Sequence, residues 1–139
     1  MRRSPAFTLI EMVVVLVIVS LLLAFSVIGG IRFKNAIEFS YSINQVVSDI
    51  KVAQQLADTS LQLCKIEFKS GKNMYTITKG GNIYKTGSVS SKVQFYGKSY
   101  FSFVPSGYTE VGGSGTLFIG GASKVRKIIV SSRGRIRVE

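Results

Sequence analysis

From Phe7 to Ile28 the chain is apolar at nearly every position, interrupted by Thr8, Ser20 and Ser26 and by one charge, Glu11. At about 1.5 Å per residue a helix over this stretch is roughly 33 Å long, enough for a hydrocarbon core of about 30 Å. The pattern predicts a membrane-spanning helix over residues 7–28. A secretory signal peptide is the competing reading, because Arg2 and Arg3 form a positive start. The apolar stretch exceeds the usual h-region of about 7 to 15 residues, and no small-x-small cleavage site follows it, so the span is preferred. Flanking charges nearly tie, with Arg2 and Arg3 on one side and Arg32 and Lys34 on the other. The amino terminus tips the count toward a cytoplasmic N-terminus and an extracytoplasmic remainder.

Beyond the Gly29-Gly30 pair the pattern becomes a heptad. Ala36, Ile43, Ile50 and Ala57 form one series, and Phe39, Val46, Ala53 and Ser60 the other. Polar Asn44, Gln45, Ser48, Asp49, Lys51, Gln54, Gln55 and Asp58 take the remaining positions. This predicts an amphipathic continuation over residues 29–60, one stripe of which lies on a sheet or a neighbour. Two adjacent glycines cost about 1 kcal/mol each in a helix interior, so a bend or local melting is expected there.

From Leu61 the period changes to two and turn signals recur. Cys64, Ile66 and Phe68 alternate with Lys65 and Glu67, and Met74 to Lys79 reads as extended between Ser70-Gly71-Lys72-Asn73 and Gly80-Gly81-Asn82. Val93 to Tyr96, Tyr100 to Val104, Thr116 to Ile119, Val125 to Val130 and Arg135 to Val138 are further candidate strands. The expected fold class is α+β: a long N-terminal helix whose second half packs on a small antiparallel β domain at 61–139.

Composition narrows the chemistry. The chain has 139 residues, 46% of them hydrophobic, and no histidine; its mean hydropathy is +0.30. Without imidazole, Ser-His-Asp and Cys-His nucleophiles, histidine metal sites and histidine pH switches are excluded. The single Cys64 cannot close an internal disulfide and reads as a small core residue at the helix-to-sheet junction. Glycines between 112 and 121 lack the Gly-Lys-Ser/Thr ending of a nucleotide loop. Glu38 and Asp49 share a helix face but stand about 16 Å apart by helical rise, too far for an acid/base pair. No catalytic residue, metal or cofactor is expected, and an anchored enzyme is the least favoured class.

Glu11 is the anomaly. A carboxylate inside an apolar span costs about 2.5 to 3.5 kcal/mol on insertion scales, and such residues are usually paired. No lysine or arginine follows it within the span. Its partner must therefore come from the N-terminal side or from another molecule, unless the acid simply snorkels to the headgroups. A cut between Ala6 and Phe7 would create an α-amine one helical turn before Glu11, available to the same or a neighbouring subunit.

These residues carry a resemblance. Arg2-Arg3-Ser4-Pro5-Ala6 before Phe7-Thr8-Leu9-Ile10-Glu11 resembles the leader and helix start of type IV pilins and type II secretion pseudopilins. The family usually has glycine where Ala6 stands, and its helices often carry a proline near the position of Gly29-Gly30. The later Phe103-Val104-Pro105-Ser106-Gly107, Gly115-Thr116-Leu117-Phe118-Ile119 and Ile128 to Arg137 are similar to the GspH/FimT group of minor pilins. The resemblance implies residues 1–6 as a leader, prepilin peptidase cleavage between Ala6 and Phe7, methylation of the Phe7 amine and docking of subunits through Glu11. Its partners would be the membrane, the peptidase and other pilin or pseudopilin subunits, with a tip-located or initiating place in a pilus or secretion pseudopilus.

Charge raises an alternative. Residues 64–139 hold thirteen of the eighteen Lys and Arg but only three of the seven acids. Lys124, Arg126, Lys127, Arg133, Arg135 and Arg137 crowd the end of the chain. On a strand Arg133, Arg135 and Arg137 would share one face about 6.6 Å apart, suited to successive phosphates, with Ile136 and Val138 inward. This row reads either as a DNA-binding surface of an uptake pilin or as a solvated edge strand whose charges prevent strand addition. Phe95, Tyr96, Tyr100, Phe101, Phe103 and Tyr108 read as core and sheet surface, with base stacking the rarer use.

Overall fold

The computed structural model describes residues 8–121 and 124–139, with the side chains at 26–29 and 32 outside the description. Helix α1 spans Leu9–Ser60 and eight strands follow: β1 Cys64–Phe68, β2 Met74–Lys79, β3 Asn82–Ser88, β4 Gln94–Gly97, β5 Tyr100–Phe103, β6 Gly115–Gly120, β7 Val125–Val130 and β8 Ile136–Val138. Residues through Ile37 and residues from Glu38 onward form two compact units.

In the first unit, Thr8 starts the helix. Its hydroxyl accepts the Glu11 N–H at 3.3 Å, which places Glu11 at the third helical position of a Thr-x-x-Glu start. There its charge also opposes the positive end of the helix dipole. Apolar side chains then run from Leu9 to Phe25 on every side of the helix and are exposed on the single chain, from 45% at Val19 to 83% at Leu9. Helical hydrogen bonding continues through Gly29-Gly30, so the expected melting there does not occur. Among the described residues no helix is long and apolar enough to cross a membrane. Phe7 and the side chains of Ser26 to Ile28, which complete the expected span, lie outside the described residues.

The second unit is built on the heptad. Ile43, Val46, Ile50, Ala53 and Ala57 are buried, while Ala36 stays exposed and Phe39 and Ser60 are half-buried. The chain leaves the helix through Leu61, which takes a left-handed φ of 53°. Alternation therefore starts at Cys64 rather than at Leu61.

The β region is two four-stranded antiparallel sheets. Their orders are β3-β2-β1-β5 and β4-β6-β7-β8. Period-two alternation supplies the core: Cys64, Ile66 and Phe68 with Tyr75, Ile77, Phe101 and Phe103 from the first, and Phe95, Leu117, Ile119, Ile128 and Val130 from the second. Phe68 joins the sheets, its ring 5.1 Å from Phe95 and 5.8 Å from Phe101. Burial is the main stabilising term, about 1.5 to 3 kcal/mol for each large apolar side chain. Strand β3 was not legible, because nearly all of its side chains are exposed and Gly87 interrupts it.

Candidate functional site

At the N-terminal end the described residues place Glu11, exposed, in the first helical turn. Ala6 and Phe7 lie outside the described residues. The next lysine or arginine after Glu11 is Arg32, several helical turns along. A cation for this carboxylate has to approach from the N-terminal side or from another molecule.

The basic set falls on β7, β8 and their turns. Lys124 closes the β6–β7 turn by accepting the Gly121 N–H at 2.8 Å, and Arg126 is exposed opposite Ile119. Lys127 reaches Glu139 at 2.6 Å, and the two residues exchange backbone hydrogen bonds of 2.8 and 2.9 Å. That hydrogen bond and the Lys127 charge hold the Glu139 carboxyl below its ordinary range.

The expected arginine row does not form on one strand. Strand β8 begins only at Ile136, so Arg133 and Arg135 lie on a turn and Arg137 alone is on a strand, opposite Ile129. All three are exposed. Ile136 packs partly on the core, whereas Val138 is 44% exposed instead of facing inward.

A residue from the helix fixes that turn. The side-chain amide of Gln54 donates to the carbonyls of Gly107 at 2.8 Å and Gly134 at 3.2 Å, tying one loop from each sheet to α1. Thr109 adds bonds to the Ser132 carbonyl from its N–H at 3.2 Å and its hydroxyl at 3.1 Å. Gly134 is buried with φ of 74°, and a Cβ there would meet both the Gln54 amide and the Gly107 carbonyl at 2.4 Å. Left-handed backbone alone costs an L-residue about 1 to 2 kcal/mol. Gly134→Ala is expected to cost roughly 3 kcal/mol or more through this strain and crowding, read as a lower melting temperature. An unchanged melting temperature would refute the clamp.

A second cluster escaped the sequence reading. Asp49, assigned there to the polar side of the helix, is 5% exposed and accepts the Tyr75 hydroxyl. Lys85 of β3 reaches both oxygens of its carboxylate, at 2.7 and 2.9 Å. Gln45 donates to the Tyr75 hydroxyl at 3.3 Å and to the Ser88 carbonyl at 3.1 Å. Burial and the neighbouring carboxylate push the Tyr75 phenol far above its ordinary range, so it stays a neutral donor. The available signal was the place of Asp49 beside Ile50 in the heptad, and its partner strand was the one not recognised.

No chemical centre emerges from the remaining groups. Cys64 is buried, and desolvation raises its thiol pKa. Among the described residues no group of three or more Asp, Glu or Cys is placed to hold a metal ion.

Residues 1–27 match the prokaryotic N-terminal methylation motif. The fold is that of the type IV minor pilin FimU of Pseudomonas aeruginosa in its P21 crystal form, with a TM-score of 0.64 at 15% identity over 77% of this chain and 92% of that one. The minor pseudopilin EpsH of the Vibrio cholerae type 2 secretion system matches with a TM-score of 0.58 at 14% identity over 73% of this chain and 96% of that one. No curated protein sequence matches.

Proposed function

We propose that this chain, a minor pilin-like and pseudopilin-like protein carrying the N-terminal methylation motif, is stored in the membrane by its apolar helix and drawn from there into a filament. Its work is assembly, not catalysis. Prepilin peptidase removes residues 1–6 and methylates Phe7. Support comes above all from one observation: side chains from Leu9 to Phe25 are apolar and exposed all around the helix, broken only by Glu11 in its first turn and by Ser20. A helix that is hydrophobic all round requires lipid or other helices around it. In a filament, neighbouring helices replace lipid, so burial is conserved while Glu11 pairs with an N-terminal amine and sets axial register. The β domain then stands outside the cytoplasmic membrane.

The test is fractionation of cells that express the chain beside a pilus or pseudopilus machine. The processed chain is expected in the sheared filament fraction with the other subunits. Retention of all of it in the membrane fraction contradicts the proposal.

A second reading, a tip pilin that binds DNA during uptake, has its own support. Lys124, Arg126, Arg133 and Arg135 form no ion pair among the described residues, and Arg133, Arg135 and Arg137 are all exposed. Changing these three arginines to alanine is expected to weaken duplex DNA binding and shrink the log-log salt slope by about 2 to 3 units. An unchanged slope removes this reading.

A further inference from the structure

The outer face of the second sheet carries two aromatic rings that neither the core nor the helix uses. Tyr96 on β4, Phe118 on β6 and Lys127 on β7 are direct cross-strand partners, so their side chains share one face. That face is opposite to the buried Phe95, Leu117 and Ile128. Tyr96 is 46% exposed and Phe118 41% exposed.

Both rings lie against glycines of the neighbouring strand. A Cβ on Gly120 would meet the Tyr96 ring at 3.0 Å, and one on Gly97 would meet the Phe118 ring at 2.9 Å. The Tyr96 hydroxyl is also bonded to Gln94 on its own strand. Rings seated on glycine backbone are held close to the sheet and leave an aromatic surface toward solvent. Only Lys127 of the three is charged; it is paired with Glu139 at 2.6 Å, and Arg137 stands on the next strand of the same sheet.

We propose that the Tyr96–Phe118 face is a stacking platform for a single-stranded polynucleotide, whose bases lie on the two rings and whose phosphates reach Arg137 and take the place of Glu139 at Lys127. Exposed aromatics on a sheet beside cations suit unpaired bases, because stacking needs only a π-face and the backbone needs only positive charge. Neighbouring strands are about 4.8 Å apart, which puts Lys127 roughly 10 Å from Tyr96, within reach of the phosphates flanking a stacked base. A second copy of this chain is a poor occupant, since its β domain carries the same strong positive excess. The proposal rests on the DNA reading above and names the form of nucleic acid and the rings that receive it.

The probe is a fluorescently labelled single-stranded thymidine oligonucleotide, compared with an abasic oligonucleotide of equal length and charge and with a duplex. The full chain is used in non-ionic detergent micelles. The thymidine strand is expected to bind at least tenfold tighter than the abasic one, since base–aromatic stacking is worth roughly tenfold per ring. Tyr96→Leu and Phe118→Leu, which keep apolar volume without a π-face, are expected to close that gap and leave abasic binding unchanged.

Equal affinity for thymidine and abasic strands overturns the platform, and this comparison needs no variant to fold. A gap that survives both leucine changes moves the site elsewhere and also overturns it. Binding of duplex alone, dependent on Arg133, Arg135 and Arg137, would leave the DNA reading standing and the platform refuted. Loss of the leucine variants from sheared filaments, together with equal oligonucleotide affinities, would assign the face to a neighbouring subunit instead.

Discussion

Glu11→Val is expected to leave membrane insertion intact and to reduce the chain's presence in sheared filaments by about tenfold or more. Insertion is expected to become easier, because removing the carboxylate removes a cost of about 2.5 to 3.5 kcal/mol. Assembly suffers because no other charge in the apolar stretch is available to meet an N-terminal amine. The helix start offers a control. Glu11 also sits in the turn capped by Thr8, and Thr8→Val removes that cap at about 1 kcal/mol while retaining the carboxylate. If docking is the role of Glu11, Thr8→Val still enters filaments. Should Glu11→Val enter them at the unsubstituted level, the docking role is wrong.

Asp49→Ala is expected to be the most damaging change within the Asp49–Tyr75–Lys85 cluster. It strips the Tyr75 hydroxyl of its acceptor and leaves Lys85 without its carboxylate. Breaking a fully buried pair costs about 3 to 5 kcal/mol, but the Lys85 side chain is 46% exposed and turns to water. The expected loss is therefore about 2 to 3 kcal/mol, mostly the orphaned phenol, or roughly 10 °C or more in melting temperature. Lys85→Met is expected to cost about 2 to 3 kcal/mol, because it leaves the Asp49 carboxylate, 6% exposed, without its cation. The double change is expected to cost less than the two single changes together, because both remove one interaction.

Tyr75 adds a pH dependence to the same cluster. Its folded-state pKa is raised, so the folded chain keeps a proton that the unfolded chain releases near pH 10. Its contribution is complete below that pH and is lost as pH rises beyond it. Tyr75→Phe is expected to remove this component of alkaline destabilisation. Melting curves across pH 8 to 11 check it, and an identical alkaline slope in the variant would contradict it.

The contrast between these clusters shows what was legible in the sequence. Position-by-position periodicity located the helix stripe at Ile43, Val46, Ile50, Ala53 and Ala57, and alternation located most strands, because both follow from one face meeting the core. Asp49 defeated this logic. A charge beside the stripe reads as solvated unless its partners are known, and Lys85 and Tyr75 come from distant strands. Strand β3 hid for the same reason, as its exposed residues carry no inward pattern. Local melting at the Gly29-Gly30 pair does not occur because helix propensity is a weak local preference, set here against an otherwise favourable helix. At the C-terminus the alternation of Arg133, Arg135 and Arg137 was real in sequence. The chain nevertheless spends Arg133 and Arg135 on a turn, where Gly134 takes a left-handed conformation and Gln54 holds it. That clamp joins residues 54, 107 and 134, a spacing no local pattern encodes.

The proposed function requires an N-terminus that is cut and modified before assembly. Its most direct test is the mass of the N-terminal peptide of the chain isolated from cells whose prepilin peptidase processes another substrate. A peptide that begins at Phe7 and carries one methyl group on its α-amine is expected. A chain that retains Met1 to Ala6 beside that active peptidase would contradict it.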